Sequence, residues 1–409
     1  MVHTTQLENG LTVITEEVPY VQSVSMGVWY AVGSREEEAR NNGISHVIEH
    51  MLFKGTQRRS ALQIAQELDF VGGQLNAFTD KEFTCYFAKV LSEHLPVAVD
   101  VLSDMCMNSV FDPEELEREK NVVLEEIKRY EDAPDELVHD LFVQNLFIDH
   151  PLGRPVIGNP ETVSGVKRED ILDYLGSWYQ PNRAFVVCAG NVSHDDVVGL
   201  FGKTLGSQAG HSPDVARMAP NGVEREARYE RTTEQAHFCI GTRGPSQFDE
   251  DKYPLAVLDA AMGGGMSSRL FQEVREKRGL AYNVGSYPHS YAEAGFYAIY
   301  AGTSPETLDE VLDLCRVEAA KVRAEGLHEE EFQRAKNQIK GGLLLSLESM
   351  TSRMTRMAKS QVYFGRIIPM EEVVAKIEAV TLEDTARIGE EVLNQDNWAL
   401  TLIGPKAEE

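Results

Sequence analysis

A stretch near the middle of the chain constrains its fold most strongly. Residues 206–222 are rich in glycine, serine and proline, which favour a linker over a packed helix or strand. On both sides of this stretch the same order of predicted elements recurs: strand, helices interrupted by a glycine break, a strand pair and then long helices. The sequence therefore predicts an α+β protein with two homologous halves, residues 1–205 and 223–409, joined by the linker 206–222.

Composition narrows the classes of function. The chain has 409 residues, of which 42% are apolar and 25% charged, as in a globular protein with a substantial core. It contains 65 acidic and 39 basic residues, which gives a formal net charge of −26. Such a surface repels a nucleic-acid backbone and favours basic partners. Nucleic-acid binding is therefore excluded as the main function.

The cysteines and the N-terminal residues bear on location. Five scattered cysteines show no C-x-x-C spacing, which argues against a disulfide framework and against a thiolate metal site. No apolar run reaches the roughly 18 residues that a membrane span requires. The N-terminal residues also lack the features of a signal or transit peptide. We therefore expect a cytoplasmic protein with reduced cysteines and no membrane partner.

The residues with the clearest chemistry lie in a predicted helix over residues 42–53. His46 and His50 are four positions apart, so both imidazoles lie on one face and can bind one metal ion. Imidazole nitrogens at this spacing suit Zn²⁺, which lowers the pKa of bound water toward about 7. Glu49 lies at the edge of the same face and can act as a general base. The alternative is a structural pair of histidines in a buried helix.

A catalytic zinc site needs a third protein ligand. Asp112 and Pro113 predict the start of a long helix, with Asp as the cap and Pro at the first helical position. On that helix Glu119 and Glu126 lie two turns apart on one face, whereas Glu125 is rotated by about 100°. An acidic, solvated helix face is the alternative interpretation of all three. Composition and spacing do not choose among them.

These motifs resemble the pitrilysin family, which includes insulysin and the mitochondrial processing peptidase. The resemblance rests on the inverted motif at 46–50, a glutamate 76 positions after His50, and the flanking segments 43–56 and 121–127. It implies one zinc ion per chain, bound by His46, His50 and Glu126. It also implies that Glu49 is the base and that Glu119 supports the site. The fold it implies is a clamshell of two α/β-sandwich-like halves with mainly antiparallel sheets, and two such chains pair as a homodimer.

The same resemblance extends to substrate binding. Asn76 and Ala77 lie in a stretch similar to the family's edge strand, where an extended peptide adds as a further strand. Arg275 and Tyr282 resemble an Arg–Tyr pair of the second half. The pair implies that Arg275 binds a substrate carbonyl and that Tyr282 stabilises the developing oxyanion. Residues 150–158 also resemble a family segment, in a packing role.

The expected function is that of a zinc-dependent endopeptidase that cleaves peptides or unfolded segments in an enclosed chamber. The first alternative is a non-catalytic structural subunit, in which we would expect substitutions at the metal-ligand positions. In this sequence none of those positions departs from the family pattern. The second is one subunit of a two-chain processing peptidase. Because this chain carries both Arg275 and Tyr282, a self-sufficient homodimer is favoured. Manganese or cobalt in place of zinc is left open.

Overall fold

A computed structural model describes residues 1–406. The described strands form two sheets, each belonging to one of two compact units. The first unit contains residues 1–128, 154–216 and 346–367, and the second contains 129–153, 217–345 and the residues from 368 onward. The predicted α+β fold with two halves is confirmed.

The first sheet has the strand order β1-β2-β6-β3-β5-β4. Its strands are β1 (Val2–Gln6), β2 (Thr12–Glu17), β3 (Ser23–Tyr30), β4 (Gln74–Thr79), β5 (Thr84–Leu91) and β6 (Ala184–Gly190). Only the β2–β6 pair is parallel among these described strands. Strand β3 is buried over almost its whole length because both faces of the sheet are covered. Strand β4 forms an edge.

The second sheet has the order β7-β11-β8-β10-β9. Its strands are β7 (Glu226–Glu230), β8 (Ala236–Gly244), β9 (Ala281–Ser290), β10 (Gly295–Thr303) and β11 (Ala399–Gly404). Within this sheet the described pairs are antiparallel apart from β7 with β11. Both sheets are thus mainly antiparallel, as predicted.

The helices of the first unit pack on the first sheet or around it. They are α1 (Ile44–Leu52), α2 (Ala61–Phe70), α3 (Leu95–Asn108), α4 (Pro113–Glu131, which ends in the second unit), α6 (Pro160–Gly165), α7 (Arg168–Trp178), α8 (His194–Gly202) and α12 (Met350–Phe364). The predicted start of α4 is confirmed, since Asp112 Oδ1 accepts hydrogen bonds from the backbone N–H groups of Glu114 and Glu115.

The helices of the second unit are α5 (Pro134–Leu146), α9 (Lys252–Met262), α10 (Leu308–Glu325), α11 (Glu329–Ser346, whose last residue belongs to the first unit), α13 (Met370–Ala379) and α14 (Leu382–Val392). A π-helical segment covers Phe271–Glu276. In the recurring order of elements, the sequence pattern of residues 268–278 predicts an ordinary helix, and the π-helix corrects that prediction.

Each sheet is covered on one face by a helix from the opposite half of the sequence. Helix α5 packs on β8 and β11 of the second sheet through Phe142 and its apolar neighbours. Helix α12 packs on β3 and β6 of the first sheet, where Met354 and Met357 contact the cluster around Trp29. These side chains are fully buried, so each stabilises its unit by about 1.5–3 kcal/mol. Apolar burial therefore assigns both segments to the unit that they cover.

Along residues 1–406, no helix combines the length and the apolar character needed to cross a membrane.

Candidate metal centre

Helix α1 presents both histidines on its less buried side. It begins after Gly43, whose φ of 96° is the left-handed conformation that glycine adopts without strain. The opposite face is apolar and almost fully buried, from Ile44 to Leu52. The rings of His46 and His50 lie 4.7 Å apart, centroid to centroid. Core packing on one face thus fixes the two imidazoles on the other.

Glu126 of α4 lies opposite the two imidazoles. Its Oε2 atom is 3.8 Å from His46 Nε2 and 3.6 Å from His50 Nε2. Ligands of a tetrahedral zinc ion lie about 3.3 Å apart, so a small inward movement of these atoms would complete three of four positions. Within residues 1–406 no other group of three His, Cys, Asp or Glu residues converges so closely. The structure brings Glu126, rather than the exposed Glu125, to the histidines.

The donor set suits a metal ion that prefers nitrogen and oxygen ligands. Burial, together with the neighbouring His50, lowers the pKa of His46 to about 4. Its imidazole is therefore neutral at pH 7 and has a lone pair available for a cation. One carboxylate and two imidazole nitrogens match the ligands of a catalytic zinc site. The residues present fit zinc.

Glu119 lies behind His50. Its Oε2 atom accepts a hydrogen bond from His50 Nδ1 at 3.2 Å, which leaves Nε2 directed toward Glu126. Its Oε1 atom is 2.7 Å from the ammonium of Lys54, a contact that the sequence did not reveal. A carboxylate in this position orients a metal-binding imidazole and raises its basicity. His46 Nδ1, by contrast, is buried without a hydrogen-bond partner in the described part of the chain.

Glu49 has a specific polar partner. The hydroxyl of Thr79, at the end of β4, donates a hydrogen bond of 2.6 Å to Glu49 Oε2. Burial raises the pKa of Glu49, while the hydrogen bond from Thr79 and the nearby His50 act in the opposite direction. A carboxyl with a raised pKa is a stronger base in its ionised form. Thr79 was not among the residues predicted from the sequence.

The predicted substrate residues of the first half lie on the edge strand. Asn76 is exposed and Ala77 is half-buried. The N–H of Ala77 donates to the side-chain oxygen of Asn76 at 2.8 Å. That N–H therefore points away from the β5 ladder and toward the open edge of the sheet. An extended peptide could pair with the same edge.

Arg275 and Tyr282 lie together in the second unit. The guanidinium of Arg275 lies over the rings of Phe271 and Tyr282, at 4.8 and 4.6 Å from their centroids. Arg275 Nη1 also donates to the main-chain oxygen of Tyr282 at 2.9 Å. The side chain of Tyr282 is 79% exposed. The structure thus brings the predicted pair together and leaves the tyrosine hydroxyl accessible.

Sequence reasoning missed the residue that anchors α1. The buried carboxylate of Glu37 accepts hydrogen bonds from the backbone N–H groups of Gly43 and Ser45, and from the side chain of Asn42. Burial raises the pKa of Glu37 to about 7, against the lowering effect of these bonds. A capping residue normally directly precedes its helix. Glu37 lies six residues before Gly43, and no local pattern signals it.

The segment 150–158 supports the same helix end. The side chain of Asn42 donates to the main-chain oxygen of Pro155 at 3.0 Å. Gly158 lies so close to Asn42 and Gly43 that a side chain at this position would clash with their backbone. The family-like segment therefore packs against the start of α1.

The fold and the candidate metal site together define a class of protein. A two-unit α+β chain with a His-x-x-Glu-His helix, completed by a glutamate from a distant helix, is typical of metallopeptidases with the inverted zinc motif. Residues 12–160 match the model described as insulinase (peptidase family M16). Residues 165–339 match the model described as the peptidase M16 inactive domain.

Individual proteins agree with these models. The chain is 42% identical over 398 residues to the uncharacterized zinc protease YmxG of Bacillus subtilis, covering 97% of each chain. It is also 42% identical to the uncharacterized zinc protease SCO5738 of Streptomyces coelicolor, covering 99% of this chain and 90% of that one. The chain therefore belongs to peptidase family M16, which confirms the pitrilysin-like family predicted from the motif.

Solved structures share the fold. A protease from Helicobacter pylori has a TM-score of 0.91 at 23% identity, with 99% of both chains covered. A peptidase M16 inactive domain from Pseudomonas fluorescens has a TM-score of 0.93 at 19% identity, covering 100% of this chain and 99% of that one.

Proposed function

We propose that this chain is a zinc-dependent endopeptidase in which Glu49 is the general base. The observation that carries the proposal is the convergence of Glu126 of α4 with His46 and His50 of α1, the helix that also carries Glu49. The names of the relatives, zinc proteases, support the same metal. These three residues would hold one zinc ion per chain.

When bound, zinc supplies Lewis acidity that polarises a carbonyl and makes water a stronger nucleophile. Glu49 accepts the proton of the attacking water and delivers it to the leaving amine nitrogen. Glu119 holds the imidazole of His50 in the tautomer that leaves Nε2 free for the metal. Each of these groups acts at a defined atom.

Substrate binding follows from the exposed edge of β4. An extended peptide pairs with the backbone near Asn76 and Ala77, which gives affinity with little dependence on side chains. In the second unit, Arg275 binds a substrate carbonyl and the hydroxyl of Tyr282 donates to the developing oxyanion. Substrates are peptides or unfolded segments that enter an enclosed chamber. The active form is a homodimer.

The alternative is a non-catalytic subunit, alone or beside a separate catalytic chain. Residues 165–339 match a model described as an inactive domain, which would agree with a non-catalytic subunit. That segment, however, contains none of the candidate metal ligands. The first half carries every candidate ligand. An intact ligand set beside an intact base favours catalysis.

The deciding experiment combines metal analysis with a quenched-fluorescent peptide library. The purified chain is expected to contain about one zinc per chain and to lose cleavage in a chelator. Glu49→Gln should retain zinc and lose nearly all cleavage. Retained turnover in Glu49→Gln would refute the assignment of the base. Zinc without cleavage in the wild-type chain would favour the non-catalytic subunit, and size-exclusion chromatography reports the dimer.

A further inference from the structure

The hydroxyl of Thr79 donates a hydrogen bond to the carboxylate of Glu49, to which the backbone N–H of Thr79 also lies close. The oxygen–oxygen distance of 2.6 Å is short, as expected for a hydroxyl that donates to a charged acceptor. Glu49 is half-buried, so losing this donor would leave a carboxylate oxygen without its partner. The bond therefore restricts the orientation of the Glu49 side chain.

The position of Thr79 is itself fixed. Thr79 pairs with Thr84 at the end of the β4–β5 ladder, and the backbone of Asp80 closes the turn by donating to Phe83 O at 2.8 Å. The N–H of Ser34 donates to the main-chain oxygen of Asp80 at 3.1 Å. Gly33 lies so close to this oxygen that a side chain there would clash with it. A rigid turn thus holds the hydroxyl in place.

The next two residues of the turn anchor it from the other side. Lys81 and Glu82 are almost fully buried although both are charged. Lys81 donates to the main-chain oxygen of Arg154 at 2.8 Å, and Glu82 is ion-paired with Arg35. Buried charges with specific partners do not shift without breaking those bonds.

Strand β4 connects this turn to the edge on which the substrate is proposed to bind. Side chains two residues apart in a strand lie on one face, so Thr79 lies on the same face as Ala77 and Leu75, which pack toward α1. One strand therefore carries both the exposed edge and the donor to Glu49. The geometry fixes the carboxylate relative to the backbone that would receive the peptide.

We propose that Thr79 is a positioning residue, which holds the carboxylate of Glu49 in register with the peptide bound along β4. The inference rests on the proposed function, since it assigns a role in the same site. Among the described residues, the hydroxyl of Thr79 hydrogen-bonds Glu49 and none of the three candidate metal ligands. It acts through Glu49, so its removal should affect turnover and leave zinc binding and substrate affinity largely intact.

The test uses three variants of the full chain. Thr79→Val keeps the shape and removes the hydroxyl, Thr79→Ser keeps the hydroxyl, and Thr4→Val changes an exposed strand threonine of β1 as the matched control. Thr79→Val should lower kcat by about 10- to 100-fold, because small displacements of a catalytic group have large effects. Its KM and its zinc affinity, measured by chelator competition, should stay within about twofold of wild type. Thr79→Ser should recover most of kcat, and Thr4→Val should match wild type.

Two kinetic outcomes would overturn the proposal. Wild-type kcat in Thr79→Val would show that the hydroxyl is dispensable. Equal losses in Thr79→Val and Thr79→Ser, or a parallel loss of zinc affinity, would show a structural role.

A further measurement is independent of turnover. Crystal structures of the zinc-loaded wild type and of Thr79→Val should differ in the position of the Glu49 carboxylate, and an unmoved carboxylate overturns the inference. If the wild-type chain binds zinc and cleaves no peptide, the proposed function fails, whereas this comparison still decides the role of Thr79.

Discussion

At the scale of single residues, the two neighbouring glutamates of α4 show how one helical step separates a candidate ligand from a surface side chain. Glu126 lies within 4 Å of both histidines, whereas Glu125 is 73% exposed and pairs with Lys128 at 2.7 Å. The spacing of acids along α4 could not choose between them, because either fits an amphipathic helix. The choice depends on how α4 rotates against α1, which tertiary packing sets.

This contrast gives a matched pair of variants. Glu126→Gln replaces a carboxylate ligand by a neutral amide, so zinc affinity should fall by at least about tenfold. Glu125→Gln removes the same charge one residue away and should leave the affinity unchanged. Competition with a chromophoric chelator measures both. Equal affinities in the two variants would place the third ligand elsewhere.

A second residue-scale prediction concerns a buried acid away from the metal. Asp259 of α9 accepts a hydrogen bond of 2.6 Å from Ser286, and burial raises its pKa to about 7. An unfolded aspartate has a pKa of about 3.9. Between these values the native state therefore binds a proton that the unfolded state does not. The resulting stabilisation is complete below about pH 4 and is lost as the pH rises through 7.

Asp259→Asn should remove this pH dependence, since asparagine keeps an oxygen for Ser286 and carries no charge. The free energy of unfolding of wild type relative to Asp259→Asn should decrease from pH 5 to 8. The expected decrease is about 1.4 kcal/mol for each pH unit over which the native state binds the proton and the unfolded state does not. Thermal denaturation of chelator-treated protein measures this difference without a contribution from metal. Asp313→Asn, at an exposed acid, is the control. If the stability of wild type and of Asp259→Asn changed with pH in parallel, Asp259 would not bind the extra proton in the native state.

At the scale of elements, local patterns predicted the helices and strands that carry the site. The spacing of His46 and His50 and the apolar face around them predict a helix, and the glycine break at residues 72–73 predicts that a strand follows. The structure has both, as α1 and β4. The π-helix at Phe271–Glu276 was missed, because one extra residue in a turn barely alters the hydrophobic period over so short a segment. The contact between Glu37 and α1 was missed because it crosses an irregular loop.

Glu37 provides an element-scale prediction. Both of its carboxylate oxygens accept N–H donors at the start of α1, so Glu37→Gln places an NH₂ group against one of them. Leaving such a buried donor unsatisfied should cost about 1–3 kcal/mol in the free energy of unfolding. Zinc affinity should also fall, because the first turn of α1 positions His46.

The control for this prediction is Glu38→Gln, at an exposed neighbour paired with Arg40. It should change the free energy of unfolding by less than about 0.5 kcal/mol. Thermal denaturation and chelator competition report both effects, and equal stability of the two variants would exclude the capping role.

At the scale of the whole molecule, the recurring order of elements predicted two halves, and the family resemblance implied their mainly antiparallel sheets. It did not predict that α5 and α12 cover the sheet of the opposite half of the sequence. An apolar stripe on a helix shows that the helix is buried, but it carries no information about which sheet it covers. The reciprocal exchange makes each compact unit depend on a segment that is distant in the chain.

This dependence predicts how fragments behave. Residues 1–216 alone lack α12, which leaves the face around Trp29 and Val187 open to water. Since Met354 and Met357 are fully buried on this face, their absence removes about 1.5–3 kcal/mol of stabilisation each. The fragment should therefore bind a hydrophobic dye and unfold without a cooperative transition.

Fusing residues 346–367 to this fragment through a glycine–serine linker should restore cooperative thermal unfolding. The same fusion with Met354→Asp and Met357→Asp should not, because charges cannot enter the apolar face. All three fragments retain residues 129–153, so the effect of that segment cancels in the comparison. Cooperative unfolding of residues 1–216 alone would show that the first unit does not need the exchanged helix.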